Sequence, residues 1–162
     1  MNNDYDLIII GGGPSGSSAA LFANKIGLKT ILLDKTVFPR DKICGDALSG
    51  KSVKYMEELG ILEDVKKLKG STINRIIFGS PSHKIIDISL ADSKDPSSIN
   101  SGFVIPRKDF DNYLFSQAKK VTEVKEGFKA TNVLYDNNKI VGLSGKQNDS
   151  SINLYAPLLL VC

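Results

Sequence analysis

"LIIIGGGPSGSSAALFA", residues 7–23, runs from four apolar residues through a glycine cluster with one proline into small and apolar residues. Leu7-Ile8-Ile9-Ile10 is short, β-branched and continuous, which is how a parallel strand covered on both faces reads. Beyond Gly16 the period changes. Ala19, Phe22, Ala23 and Ile26 fall at i, i+3, i+4 and i+7 and predict one apolar face of a helix. Gly27 stands where that helix stops. A second apolar run, Thr30-Ile31-Leu32-Leu33, ends on Asp34. The order is strand, glycine turn, helix, strand, acid.

Gly11, Gly13 and Gly16 have the spacing G-x-G-x-x-G. In a strand–turn–helix setting each lacks a side chain for its own reason. Gly11 permits a sharp exit from the strand, Gly13 lets a pyrophosphate approach the backbone, and Gly16 lets the helix pack on the sheet. The free N–H groups of the first helical turn then face the phosphates at the positive end of the helix dipole. Asp34 lies 23 residues after Gly11. A carboxylate there accepts hydrogen bonds from ribose hydroxyls and repels a 2′-phosphate, which argues against NADP at this site.

Composition narrows the class. The 162 residues suit one domain of ordinary size, and 41% hydrophobic with 24% charged residues suits a globular chain. A net charge of +3, spread along the chain, does not argue for nucleic acid. No apolar run approaches the roughly 20 residues of a membrane span. The start, MNNDYD, has no signal-peptide pattern. Cys44 and Cys162 form neither a disulfide framework nor a metal spacing, so no metal site is expected and a reducing, cytoplasmic setting is the default.

Residues 35–50, KTVFPRDKICGDALSG, read as a long polar loop, a kind that usually does something. Val53, Met56 and Leu59 have helical spacing, with Gly60 ending that helix. Residues 73–78 and 84–90 predict two strands around the turn GSPSH, and residues 91–101 a polar surface loop. Phe103-Val104-Ile105 predicts a short strand, followed by a helix from Lys108 to Val121 with Phe110, Leu114, Ala118 and Val121 on one face. FKATNVLY, KIVGLSGKQ and SINLYA suggest an antiparallel meander, its first turn at Asp136-Asn137-Asn138. Leu158 to Cys162 reads as another buried strand.

These pieces together resemble one family. GGGPSG with Ala20, Gly27 and Asp34 resembles the FAD-binding fingerprint of flavoproteins with the p-hydroxybenzoate hydroxylase fold. FPRDKICGDALS, LSGKSVKYMEELGIL and FVIPRKDFDNYLFSQA are similar to the corresponding segments of the geranylgeranyl reductase family. The resemblance implies an α/β, Rossmann-like FAD-binding domain with a parallel sheet, a β-meander crossover and the start of an inserted antiparallel substrate-domain sheet. It places the FAD domain at 1–70 and 102–162 and the insertion at 71–101. It also implies a longer enzyme, continuing past residue 162 into an Asp-Gly motif, so that the stretch by itself would be an inactive fragment of marginal stability.

Residue by residue, the resemblance puts Gly11, Gly13, Ser15 and Gly16 on the FAD pyrophosphate and Asp34 on the adenosine ribose. Cys44, Gly45 and Ala47 would line the ribityl and isoalloxazine end, Arg107 would reach the cofactor from its helix start, and the backbone of Val133 would meet the adenine. From the residues alone, Cys44 is either a small buried hydrophobe or, beside Arg40, Lys42 and Asp46, a thiol in a setting that suits a thiolate. Arg107 opposes a helix dipole, so a bound anion is expected beside it. Arg40 and Lys42 stand equally between solvated loop charges and site residues, and His83 reads as solvent-facing.

The activity implied is FAD-dependent reduction of carbon–carbon double bonds in geranylgeranyl chains of lipids or pigment precursors. Such an isoprenoid or lipid substrate implies contact with a membrane periphery. The electron donor, NAD(P)H or ferredoxin, stays open, and no residue is assigned as catalytic beyond Cys44 as a candidate near the flavin. Two alternatives stand beside it: a flavin-dependent aromatic monooxygenase or halogenase of the same fold, and a dinucleotide-binding fragment without turnover.

Overall fold

A computed structural model describes residues 3–90, 102–148 and 150–162. The polar loop expected at 91–101 lies outside the described residues. The chain divides into two units, one of residues 1–41 with 111–162 and the other of residues 42–110.

The first unit begins with β1 (Leu7–Ile10), α1 (Pro14–Lys25) and β2 (Thr30–Asp34). β1 and β2 pair in parallel from Leu7↔Thr30 to Ile10↔Leu33, as the continuous apolar runs predict. Gly27 ends the helix with φ +81°, its N–H returning to Asn24 O while Leu28 N–H returns to Ala23 O. The face of α1 that docks differs from the one predicted. Gly16, Ser17, Ala20 and Ala23 are buried, whereas Ile26 is 74% exposed. The smallest side chains let the helix approach the sheet most closely, and that packing outweighs the larger apolar area of Phe22 and Ile26.

Two further strands complete a four-stranded parallel sheet, which places β8 (Glu123–Glu126) beside β2 and β12 (Leu158–Val161) beside β1. β12 is an edge strand, and Leu158, Leu160 and Val161 are exposed at 56%, 38% and 77%. β12 has a neighbour on one side alone among the described residues.

Between β8 and β12 the chain runs through the meander β9 (Lys129–Asp136), β10 (Lys139–Gln147) and β11 (Ser150–Tyr155), in spatial order β11-β10-β9. Asn137 and Asn138 turn its first corner with φ +47° and +63°, the doubled positive φ of a tight hairpin turn. The sheet is covered on both faces. Ile8, Ile31 and Leu33 pack with Phe128, Leu143, Leu154 and Ala156 of the meander and its flanks. Ile9 and Leu32 point the other way, onto Ala20 of α1 and onto Phe115 and Ala118 of α4 (Arg107–Ala118).

α4 starts at Arg107 in the second unit and runs into the first from Asp111. It ends three residues before Val121, which is 38% exposed rather than on the buried face.

In the second unit, β3 (Ala47–Leu48), β4 (Ser71–Ile73) and β7 (Gly102–Val104) form a small antiparallel sheet in the order β3-β7-β4. Ile73 thus ends a strand of its own instead of beginning the hairpin. That hairpin is β5 (Arg75–Gly79) with β6 (Ile85–Ser89), and its isoleucines and Phe78 are exposed. α2 (Gly50–Glu58) buries Val53 and Met56 as predicted, and Gly60 follows with φ +70° before α3 (Leu62–Val65). No helix among the described residues is long and apolar enough to cross a membrane.

Candidate functional site

The glycine turn of the first unit is closed by backbone at two positions and by side chains at a third. Gly11 has φ +106°, a conformation that glycine adopts without strain. A Cβ on Gly11 would overlap the carbonyl oxygen of Cys162, and one on Gly16 would overlap the carbonyl oxygen of Gly11. Gly12, outside the three-glycine motif, is equally constrained: a Cβ there would stand 2.5 and 2.8 Å from the Phe115 ring and 3.2 Å from Asp34 Oδ2. Gly13 is different. Among the described residues, its Cβ position comes within 4 Å of Arg40 alone, 3.3 Å from Nη2.

α1 starts immediately after this turn. Gly13 is its N-cap residue, no side chain caps the helix and no acid lies in its first turn. Pro14 has no N–H, so Ser15 and Gly16 supply the N–H groups that lack an acceptor within the helix. Ser15 is exposed, and Ser17 is buried, its N–H bound to Gly13 O and its hydroxyl donating to Gly12 O, each at 2.9 Å. The positive end of the helix dipole therefore lies at Gly13.

Asp34 holds the turn from the end of β2. Its Oδ2 accepts the Gly12 N–H at 2.6 Å, and its Oδ1 accepts the Thr36 N–H at 2.7 Å and the Thr36 hydroxyl at 2.6 Å. The residue is 7% exposed. A carboxylate has about four acceptor positions, so these bonds leave room for roughly one ribose hydroxyl. The motif predicts a ribose contact; the structure adds that Asp34 organises the glycine turn itself.

Arg40 is the residue that sequence reasoning left undecided. Its guanidinium lies 4.9 Å from the centre of the Phe38 ring, and its Nη1 donates to Asp111 Oδ2 at 3.2 Å. Its side chain is 17% exposed and that of Asp111 fully buried. A cation 3.3 Å from the Cβ position of Gly13 and two backbone donors without an acceptor among the described residues thus meet at one turn. This set fits the two negative charges of a dinucleotide pyrophosphate. A sequence signal for Asp111 exists in retrospect: it is an acid bordering the apolar stripe of Phe110 and Leu114.

Val133 lies on β9 opposite Leu143 and is 41% exposed. The remaining predicted residues belong to the second unit. Cys44 and Gly45 are exposed, and Ala47 pairs with Val104. Asp46 joins this stretch to the start of α4: its carbonyl accepts the Ile105 N–H at 3.0 Å and its Oδ1 accepts the Arg107 N–H at 3.2 Å. Asp46 thus supplies a carboxylate acceptor to the backbone N–H of Arg107, the first residue of α4. His83 is exposed at the hairpin turn, as predicted.

Which dinucleotide such a turn serves is decided by likeness along the whole chain. The profile of the FAD binding domain family matches residues 4–162. The chain belongs to the FAD binding domain family. FAD is accordingly its cofactor. The domain is 31% identical over 96% of its length to a digeranylgeranylglycerophospholipid reductase of Thermoplasma acidophilum. It is 30% identical over 98% of its length to conditioned medium factor receptor 1 of Dictyostelium discoideum. Among solved structures it superposes on a flavin-dependent brominase with a TM-score of 0.85 at 27% identity, over 98% of this chain. It spans 38%, 32% and 37% of those three proteins, about a third of their length. The likeness to geranylgeranyl reductases noted in the sequence holds for this FAD-binding part.

Proposed function

We propose that this domain serves an FAD-dependent oxidoreductase that reduces carbon–carbon double bonds of geranylgeranyl or related isoprenoid chains on lipids. The observation that carries the flavin part is the convergence of Gly13, the α1 N-terminus and Arg40. The isoprenoid part is supported by the 31% identity to a digeranylgeranylglycerophospholipid reductase. The proposed domain division is 1–70 with 102–162 for FAD and 71–101 for the start of a substrate-binding insertion.

When bound, FAD supplies hydride-transfer chemistry. The chain's own residues bind and orient it. Gly11 and Gly16 bring helix and strand close enough for the turn to form. The N–H groups of Ser15 and Gly16, with the Arg40 guanidinium, would hold the pyrophosphate. Asp34 keeps the turn in shape and offers its remaining acceptor capacity to the ribose, and the Val133 backbone meets the adenine. The family likeness would give Cys44, Gly45, Ala47 and Arg107 to the flavin end. A lipid substrate brings the protein to a membrane periphery.

The likeness to the brominase at 27% identity supports a second reading, a flavin-dependent halogenase or aromatic monooxygenase. One experiment separates them. The intact protein, chemically reduced, is incubated anaerobically with a digeranylgeranylglyceryl lipid, and the products are read by mass spectrometry. Addition of two hydrogens per double bond supports the reductase. No gain there, with halogenation or hydroxylation of an aromatic acceptor under oxygen, overturns it in favour of the second reading. A colourless protein that takes up no FAD would remove both.

A further inference from the structure

Residues 36–40 are strapped along one face of α4. Asp111, Phe115 and Lys119 recur every four residues, so they form one stripe along the helix and into the turn that follows it. Asp111 and Phe115 hold the strap directly, and Lys119 holds it through Glu126. Arg40 Nη1 donates to Asp111 Oδ2 at 3.2 Å. The Phe38 ring stacks on the Phe115 ring with centroids 3.9 Å apart and planes 12° from parallel. Glu126, at the end of β8, accepts the Phe38 N–H at 2.7 Å and pairs with Lys119. The same Phe115 ring is what a side chain on Gly12 would strike. One face of α4 thus backs the glycine turn and also carries the cation that stands over Gly13.

The Asp111 carboxyl is fully buried and paired with Arg40. A carboxylate so close to a pyrophosphate site opposes anion binding by direct Coulomb interaction. A favourable effect on anion binding would act through Arg40, the cation it holds. An arginine on a surface strap would lose much rotamer freedom on meeting a phosphate. Arg40 is already ordered by the Asp111 carboxylate on one side and the Phe38 ring on the other.

We infer that Asp111 is a positioning residue for cofactor binding: together with the Phe38–Phe115 stack it holds the Arg40 guanidinium over Gly13, so that the pyrophosphate meets a pre-organised cation. This rests on the reading of the glycine turn as the FAD pyrophosphate site.

The test uses the intact protein freed of flavin, titrated with FAD and with riboflavin, which has neither pyrophosphate nor adenosine. Arg40→Gln should weaken FAD about 10- to 100-fold, the scale of a charged hydrogen bond. Asp111→Asn should weaken FAD about 3- to 10-fold, the scale of ordering one long side chain. Riboflavin binding should change in neither variant. In the double variant, Asp111→Asn should add nothing to the loss from Arg40→Gln. If Arg40→Gln leaves FAD affinity unchanged, the pyrophosphate reading itself is wrong. If Arg40→Gln weakens FAD while Asp111→Asn does not, or if the two losses multiply, Asp111 does not act through Arg40 and the inference is overturned. Should Asp111→Asn fail to fold, Phe38→Leu, at a half-buried position on the strap, decides the matter. It should weaken FAD and not riboflavin, and an unchanged FAD affinity would overturn the inference.

Discussion

Gly12→Ala tests the packing of the cofactor turn most directly. The added Cβ would lie 2.5 and 2.8 Å from two atoms of the Phe115 ring and 3.2 Å from Asp34 Oδ2. Carbon–carbon contact is comfortable at about 3.5–4.0 Å, so ring or turn must move by about 1 Å. Phe115 is 1% exposed and stacked on Phe38, which leaves it little room to withdraw. Overpacking of this kind costs roughly 1–3 kcal/mol. Gly12 is not in a left-handed conformation, so alanine also restricts the unfolded chain, which returns about 0.4–1 kcal/mol. The net expectation is a loss of about 1–2 kcal/mol, or a Tm lower by about 3–6 °C for a chain of this size. FAD affinity should fall with it, because the same shift moves the turn that faces the pyrophosphate. Thermal melts and FAD titration of the wild type, Gly12→Ala, Phe115→Leu and Gly12→Ala/Phe115→Leu check this. Gly79→Ala, where nothing lies within 4 Å of the added carbon, is the control. Measured against Phe115→Leu alone, Gly12→Ala should lower Tm less than it does beside the intact ring. A Gly12→Ala protein that melts and binds FAD like wild type would refute the packing argument.

Gly16→Ala should be worse, at or beyond the roughly 3 kcal/mol upper end of overpacking, because its Cβ meets the Gly11 carbonyl, which is backbone and cannot rotate away; a stable, yellow variant would contradict this. Asp34→Asn keeps the shape of the side chain but turns an amide toward the Gly12 or Thr36 donors. A buried donor left without an acceptor costs about 1–3 kcal/mol, so urea melts should show that loss and FAD binding should weaken. An unchanged melt would mean that the carboxylate does not hold the turn. Tyr5 has its pKa raised, first by burial and then by its hydrogen bond to Glu123. Because the folded value lies above the unfolded value of 10.0, the neutral phenol's contribution is fully present below pH 10 and is lost as pH rises toward the folded value. The stability difference between wild type and Tyr5→Phe should be constant from pH 7 to 9 and shift against wild type above pH 10, read by urea melts; a pH-independent difference would show that the phenol is not perturbed.

The strand–glycine turn–helix–strand–acid order was legible because each piece is a local property. Continuous β-branched runs predict β1 and β2, a change of period predicts α1, and the motif spacing points to a dinucleotide. The meander was legible too, since alternating strands and a positive-φ Asn-Asn turn are written locally. What escaped was set by partners distant in the chain. β8, with the polar sequence EVKE, has no apolar period and becomes a strand because it pairs with β2 across nearly ninety residues. The docking face of α1 was misread because small residues win a close-packed interface over large ones, a choice made by the sheet beneath. Gly12 reads as a variable position in the motif, yet Phe115, about a hundred residues away, leaves it no room for a side chain. Arg40 and Asp111 are separated by 71 residues, and no pattern in either segment pairs them. The sequence by itself determined the cofactor class, because turn, dipole and acid lie within one short stretch. The tertiary structure decided which cation stands over that turn and what holds it there, because charge pairing and ring stacking depend on which surfaces the fold brings into contact.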